Sequence, residues 1–217
     1  MTYGKPPTLI GTAPFSLPEV MYYLYLPVFM EGAGGDSEGE ILRLPPNLEI
    51  CRDMIMGAGE HEQANGREWK YIYLSARKGW ATPDNPLNRP GWHCDGFGTE
   101  DQNYVWWQGA GTRFALQSFK DISDDHTLSL KQFEEQIDPS FVATYEQHGV
   151  YHLDRYVVHA TPLLTEGGMR QYVKVSFSNE KYNLYNNSHN YLFDYEWEMV
   201  DRENVRNDTS KAQRDFP

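Results

Sequence analysis

Short runs in which apolar and polar residues alternate make up much of the chain after Arg67. Alternation with a period of two predicts strands, because successive side chains of a strand point to opposite faces. The predicted strands are Glu68–Ala76, Tyr104–Gln108, Thr112–Phe119, Val150–Ala160, Arg170–Ser178 and Tyr191–Val200. The second and third of these are expected to pair as a hairpin around the Gly-Ala-Gly sequence at 109–111.

Helical spacing is found in two segments. One is Asn47–Met56, which follows two prolines, and the other is Leu128–Ile137, for which Thr127 or Ser129 is a candidate amino-terminal cap. Met21–Met30 fits either a short helix or a strand. Few helices and many short strands predict a mainly β protein.

The fold class expected from this order of elements is a jelly roll, sandwich or barrel with a few flanking helices. A chain of 217 residues has the size of one domain. Residues 67–180 are expected to form the barrel core. Residues 1–66 would then be an amino-terminal extension with lid elements, and residues 181–217 a last strand followed by a polar tail.

Charge and cysteine content narrow the classes of function. The formal net charge is −12, which argues against binding duplex nucleic acid over a broad surface, since such binding depends on Lys and Arg. A small-molecule or nucleotide-like substrate is expected instead. Two cysteines, no signal-peptide pattern and no apolar run of about 18 residues predict a cytoplasmic protein without a membrane partner.

The sequence Trp-His-Cys-Asp at 92–95 is the clearest candidate for chemistry. In an extended segment His93 and Asp95 point to the same side, so both can bind one metal ion while Cys94 points away. A third ligand has to come from another part of the fold, and His159 is the best candidate because it ends a strand-like run. Two imidazoles and one carboxylate leave open positions, which suits iron(II) and dioxygen.

Arg170 lies eleven residues after His159, at the start of a predicted strand. A guanidinium can bind a carboxylate through two parallel hydrogen bonds. A dicarboxylate could therefore contact the metal at one end and Arg170 at the other.

His93, Asp95, His159 and Arg170 at these spacings resemble the iron(II)/2-oxoglutarate-dependent dioxygenases, and the Trp before His93 is similar to the phytanoyl-CoA hydroxylase-like branch. The resemblance covers residues 67–180 and is carried by these four positions. It implies a double-stranded β-helix, a cupin-like barrel, in which the two histidines and the aspartate hold iron(II). It also implies that Arg170 binds 2-oxoglutarate and that dioxygen is used to hydroxylate or otherwise oxidise a C–H bond.

The resemblance leaves the other co-substrate contacts open. Some family members have a serine two residues after the arginine, where this chain has Tyr172, whose hydroxyl could serve instead. Tyr104, Arg113 and Gln117 lie between the metal ligands in the sequence and have suitable side chains. Nothing in the sequence selects among these three.

His152 is the alternative third ligand, because it lies on the same predicted strand as His159. It is seven residues earlier and therefore on the opposite face of that strand, and it would leave Arg170 eighteen residues away. His159 is preferred for these reasons. Two other functions stay open: a cupin-like metalloenzyme that does not use 2-oxoglutarate, and a jelly-roll binding protein without catalytic activity.

Overall fold

The computed structural model describes residues 2–33 and 42–201, and this part of the chain is mainly β. The strands are β1 (Thr8–Thr12), β2 (Met21–Met30), β3 (Tyr71–Ala81), β4 (Gln102–Gln108), β5 (Arg113–Ala115), β6 (Val142–Thr144), β7 (Gly149–Leu153), β8 (His159–Ala160) and β9 (Gly168–Ser178). The α-helices are α1 (Arg52–Ala64) and α2 (His126–Gln136). In these described stretches no helix is long and apolar enough to cross a membrane.

Two antiparallel sheets organise the chain. The larger has the strand order β1-β7-β4-β9-β3-β2, and the smaller has the order β6-β5-β8. The predicted class, mainly β with few helices, is confirmed, and the two sheets are compatible with a jelly roll. The segment at 21–30, which fits either a helix or a strand in sequence, is strand β2. β1 and β2 are the edge strands of the larger sheet, so residues 1–66 supply part of the sheet itself.

β9 lies inside the larger sheet and shows how its two faces differ. Val173 and Val175 pack into an apolar core together with residues of α1. Arg170, Tyr172 and Lys174 alternate with them and face a cavity on the other side. The register of each neighbouring strand with β9 therefore decides which of its side chains reach the core and which reach the cavity.

The two predicted helices are present with shifted bounds. The first begins as a 3-10 turn at Pro46–Cys51 and continues as α1. The cap of α2 is Asp125, whose Oδ1 accepts a hydrogen bond from Leu128 N at 2.8 Å. The prediction of Thr127 or Ser129 as the cap is wrong, because the helix begins earlier than the apolar pattern indicates.

The predicted hairpin of β4 and β5 is wrong. β4 is paired on both sides, with β7 and β9, whereas β5 pairs with β6 and β8 in the smaller sheet. Gly109 follows β4 with a φ of +88°, and a Cβ atom there would lie 2.8 Å from Met169 O. The segment after β4 thus carries the chain from one sheet to the other instead of reversing it.

The run Val150–Ala160, predicted as one strand, is divided between the two sheets. Asp154 turns the chain: its Oδ1 accepts a hydrogen bond from Tyr156 N at 2.8 Å, and its carbonyl oxygen accepts one from Val157 N at 3.1 Å. Such a turn ends β7 in the larger sheet. His159 therefore lies on β8 of the smaller sheet.

The last strand predicted at Tyr191–Val200 is not formed. Val200 makes only an isolated bridge with Leu184. Trp197 of this segment packs on the larger sheet instead, with its ring centre 5.8 Å from that of Tyr71. The polar tail predicted after it, residues 202–217, lies outside the described residues.

Candidate metal centre

His93, Asp95 and His159 come together at the smaller sheet. His93 forms an isolated bridge with His159 on β8, with N to O distances of 3.0 and 2.9 Å. Asp95 points to the same side, and its Oδ2 lies 3.5 Å from His159 Nε2. One ligand atom from each of the three side chains lies within 4.8 Å of the other two.

Hydrogen bonds to the backbone orient both imidazole rings. His93 Nδ1 lies 2.9 Å from Gly91 O, and His159 Nδ1 lies 3.1 Å from Val157 O. Because a carbonyl oxygen only accepts, Nδ1 carries a proton in each ring, and Nε2 is the nitrogen left to meet a metal ion. Burial, together with the neighbouring His159 and Arg89, lowers the pKa of His93 well below its usual value. A neutral ring oriented in this way is ready to bind a metal through Nε2.

The three side chains fit a divalent metal ion. Nitrogen and carboxylate ligands bind such ions at about 2.0–2.2 Å, which places ligand atoms around one ion roughly 3–4 Å apart. The spacing of the three ligand atoms is close to this range, and two imidazoles with one carboxylate form the donor set of open iron(II) sites. Over residues 2–33 and 42–201, no other group of three or more His, Cys, Asp or Glu side chains could hold an ion.

Lys174 contacts this centre, although it is not among the residues predicted from the sequence. Its Nζ lies 3.1 Å from Asp95 Oδ1 and 3.1 Å from the Tyr25 hydroxyl. Burial would raise the pKa of Asp95, but Lys174 and His159 hold it well below its usual value. Burial would lower the pKa of Lys174, and Asp95 raises it instead. Both groups are therefore charged, and the two oxygens of Asp95 have separate partners.

The three side chains of this candidate metal centre line a cavity of about 580 Å³. The charged side chains in its lining are Arg77, Arg89, Arg170, Lys174, Asp95 and Asp101. Cations outnumber carboxylates there, although the whole chain has a net charge of −12. Such an imbalance in a cleft favours an anionic ligand.

Arg170 is buried at the cavity-facing side of β9, and its contacts limit what it can bind. Nε donates a hydrogen bond to Ala110 O at 2.9 Å. Nη1 donates to Pro86 O at 3.0 Å and also to Asn88 Oδ1. Nη2 makes none of these bonds and is the nitrogen that a ligand can meet. The predicted pair of parallel hydrogen bonds from Arg170 to one carboxylate therefore needs a second donor from another residue.

Tyr172 and Arg77 are placed to supply that donor. The Tyr172 ring centre lies 5.2 Å from Arg170 Cζ, and burial raises the pKa of its hydroxyl above the usual range, so the hydroxyl keeps its proton. Arg77 pairs with Tyr172 in the register of β3 and β9 and lines the same cavity. Burial lowers the pKa of Arg170 to about 10, which leaves it cationic at neutral pH.

Tyr104 does not line the cavity, so its prediction as a co-substrate contact is wrong. It pairs with Val175 on the face of the larger sheet that packs against α1, and its hydroxyl donates a hydrogen bond to the Glu62 carboxylate. His152, the alternative metal ligand, lies on the same face, with its Nε2 2.7 Å from Gln102 Oε1. The sheet separates both residues from the metal centre.

Arg113 and Gln117 do not line the cavity either, so their prediction as co-substrate contacts is wrong. Arg113 Nε donates a hydrogen bond to Thr161 O at 2.8 Å, and its Cζ lies 5.0 Å from the Trp92 ring centre. Gln117 Nε2 donates to Gln136 O at 2.6 Å, at the end of α2. The interval between the metal ligands spans both sheets, so position in the sequence does not imply access to the cavity.

Comparisons with known proteins show only distant likenesses. No family model matches the chain, and no curated protein matches it. Solved structures with some similarity are EvdO2 from Micromonospora carbonacea var. aurantiaca (TM-score 0.35, 14% identity), EvdO2 complexed with 2-oxoglutarate (0.35, 16%) and a bsmA homolog from Methylobium petroleophilum PM1 (0.34, 16%). The matches cover 62, 62 and 74% of this chain but only 61, 60 and 64% of those structures.

Proposed function

We propose that this protein is an iron(II)- and 2-oxoglutarate-dependent oxygenase that hydroxylates or otherwise oxidises a C–H bond. The observation that carries the proposal is a single cavity lined both by the His93, Asp95 and His159 ligand set and by the buried Arg170. The ligand set supports a metal with open positions. The arginine and the cationic lining support an acidic co-substrate.

The proposal gives separate roles to the residues of the cavity. His93, Asp95 and His159 would hold the iron, and Arg170 with a neighbouring donor would bind the distal carboxylate of 2-oxoglutarate. Bound iron supplies dioxygen activation coupled to the decarboxylation of 2-oxoglutarate to succinate. Lys174 holds Oδ1 of Asp95, which directs Oδ2 toward the histidines.

The proposed primary substrate is a small molecule, nucleotide-like compounds included. A cavity of about 580 Å³ has the size of small-molecule pockets, roughly 300–1,000 Å³. The net charge of −12 argues against a duplex nucleic acid. A cytoplasmic location without a membrane partner belongs to the same proposal and rests on the sequence.

Anaerobic titration with iron(II) and 2-oxoglutarate tests the proposed function. We expect a weak visible charge-transfer band when both are bound, and succinate when air is admitted. The Asp95→Ala variant should give neither, because the metal loses its one anionic ligand. Absence of both the band and succinate from the unsubstituted protein would contradict the proposal.

The Arg170→Leu variant should bind 2-oxoglutarate about 10- to 100-fold more weakly, since a charge-assisted hydrogen bond contributes about 1.5–3 kcal/mol. The charge-transfer titration measures this affinity. Mn(II) binding should persist, and it checks that loss of the bonds to Pro86 and Ala110 leaves the fold intact. Arg113→Leu is the matched control and should bind 2-oxoglutarate normally, because Arg113 faces Thr161 O. An Arg170→Leu variant with unchanged affinity would favour a metalloenzyme that does not use a dicarboxylate.

A further inference from the structure

A second cleft, of about 360 Å³, adjoins the metal cavity. Four aromatic side chains line it: Tyr25, Tyr182, Tyr195 and Trp197. Tyr25 and Tyr182 also line the metal cavity. The two ring centres lie 5.0 Å apart, so the cleft and the cavity meet at this pair.

The cleft lies on the opposite side of the metal centre from Arg170. Along the cavity-facing side of β9, Arg170 comes first, and Lys174, which contacts the metal centre, comes four residues and roughly 13 Å later. Tyr182 lies further in the same direction, because its ring stacks at 4.1 Å on Tyr73, and Tyr73 pairs with Ser176. The cavity therefore has a cationic end and an aromatic end, with the metal centre between them.

The hydroxyls of the three tyrosines are already bonded to the protein. The Tyr25 hydroxyl accepts a hydrogen bond from Lys174 at 3.1 Å, the Tyr182 hydroxyl donates one to Asp101 at 2.6 Å, and the Tyr195 hydroxyl accepts one from a backbone amide at 3.2 Å. The Tyr182 proton is therefore engaged, whereas the Tyr25 and Tyr195 hydroxyls each keep a proton that a ligand could accept. Apart from these two donors, the three residues offer ring surface. Ring surface of this kind favours a flat apolar ring over a polyhydroxylated one.

Tyr25 has a backbone φ of +48°, a conformation that residues other than glycine rarely adopt. It lies where the pairing of β2 with β3 is irregular, between Tyr23 and Leu26. Irregularities of this kind re-aim a side chain, and strained residues cluster at ligand sites. Tyr25 N donates a hydrogen bond to Ser75 Oγ at 2.9 Å. Together with the bond to Lys174, this contact holds the ring at the junction of the cleft and the cavity.

We propose that this cleft binds a planar, largely apolar ring of the primary substrate, an aryl group, and that Tyr25 lies between this ring and the metal centre. The proposal rests on the proposed function, because it assigns the substrate class of that site. The 2-oxoglutarate would lie at the cationic end, and the carbon to be oxidised would extend from the aryl ring past Tyr25. Aryl-bearing small molecules are thus the class of substrate that the cavity accepts.

Saturation-transfer NMR on the full chain tests the cleft with indole and 4-methylphenol, and with cyclohexanol as a non-aromatic ring of similar size. We expect saturable binding of the two aromatic probes and much weaker binding of cyclohexanol. The Trp197→Ala variant should weaken aromatic binding by about tenfold or more, the loss that removal of a stacked ring causes. Trp197→Phe should keep most of the affinity, and Trp80→Ala should keep all of it, since Trp80 is 63% exposed and lines neither space.

Adding Mn(II) connects the cleft to the metal centre. A bound paramagnetic ion should broaden the resonances of indole held in the cleft, and the Asp95→Ala variant should abolish the broadening but keep the saturation transfer. The proposal would be overturned if the aromatic probes did not bind, or if cyclohexanol bound equally well. It would also be overturned if binding were unchanged in Trp197→Ala, or if the indole resonances were not broadened in protein that holds Mn(II). Failure to bind Mn(II) at all contradicts the proposed function instead, and the Trp197 variants still decide whether the cleft takes a ring.

Discussion

The His159→Ala variant should bind Mn(II), a redox-stable substitute for iron(II), roughly 100-fold or more weakly than the unsubstituted protein, because even outer partners of metal ligands contribute 10- to 100-fold. His159 supplies one of three ligand atoms, and the bond from Nδ1 to Val157 O already directs Nε2 toward Asp95. The His93→Ala variant should show the same loss. The electron paramagnetic resonance signal of free Mn(II) measures the unbound ion and thus the affinity.

His152→Ala is the matched control for this loss. His152 also carries an imidazole on a strand, β7. It lies on the face of the larger sheet that packs against α1, and it contacts Gln102. Its replacement should leave Mn(II) affinity unchanged. Unchanged affinity in His159→Ala, or an equal loss in the His152 and His159 variants with native circular dichroism, would contradict a metal centre at His93, Asp95 and His159.

Local geometry is enough to predict that His93 and Asp95 share a side, because residues two apart do so in any extended segment. The position of His159 next to His93, in contrast, depends on the tertiary structure. The sequence puts His152 and His159 on one strand, but the turn at Asp154 divides that run between two sheets. His159 reaches His93 through a cross-strand bridge. No pattern within either segment specifies that pairing, since it depends on how the smaller sheet assembles.

Alternation also leaves open which face of a strand meets the cavity. Tyr104 has suitable chemistry, yet its register with Val175 places it on the core side. Lys174 lies four residues after Arg170 on β9, hence on the same face of the strand, and both line the cavity. Reading the predicted strand from Arg170 in steps of two identifies Lys174, but the sequence alone does not show that this lysine contacts Asp95. That contact requires the arrangement of the two sheets.

Net charge is a poor guide to the charge inside the cavity. The chain as a whole is strongly acidic, and the acidity predicts a small or weakly charged substrate. The cavity nevertheless contains several cations. Lys174 is neutralised by Asp95. Arg77 and Arg170 instead donate hydrogen bonds to uncharged groups, such as the Tyr22 hydroxyl and backbone carbonyl oxygens. The excess positive charge is thus concentrated at the Arg170 end, where a carboxylate would be bound under the proposed function.

Replacing Lys174 with methionine should lower the free energy of unfolding of the metal-free protein by about 3 kcal/mol, and Mn(II) should reverse most of that loss. The side chains of Lys174 and Asp95 are only 9% and 15% exposed, and removing one partner of a buried ion pair leaves an uncompensated charge at a cost of about 3–5 kcal/mol. His159 still contacts Asp95, so the lower end applies. Urea unfolding at pH 7 with a chelator, and again with saturating Mn(II), measures both values.

The carboxyl group of Asp95 determines how the effect of Lys174→Met on the free energy of unfolding depends on pH. Its pKa in the folded state is held below the ordinary value, so the stabilisation by Lys174 is present above about pH 4 and is lost as the pH falls through the lowered folded value. The difference in stability between the Lys174→Met variant and the unsubstituted protein should therefore be constant near neutral pH and should shrink in acid.

Two further variants separate the ion pair from general effects of removing a lysine. Lys5→Met breaks an exposed pair with Asp154, with side chains 48% and 30% exposed and 3.6 Å between the charged atoms, and should cost less than about 1 kcal/mol. Adding Asp95→Asn to Lys174→Met should recover stability in the chelator, because the uncompensated carboxylate is gone, and should remove the response to Mn(II). Two results would contradict a role of the Asp95 charge in binding both Lys174 and the metal ion. One is a Lys174→Met variant that is as stable as the unsubstituted protein without metal, and the other is a double variant that still responds to Mn(II). Recovery in the double variant without a metal response would instead identify Asp95 as both the partner of Lys174 and a ligand of the ion.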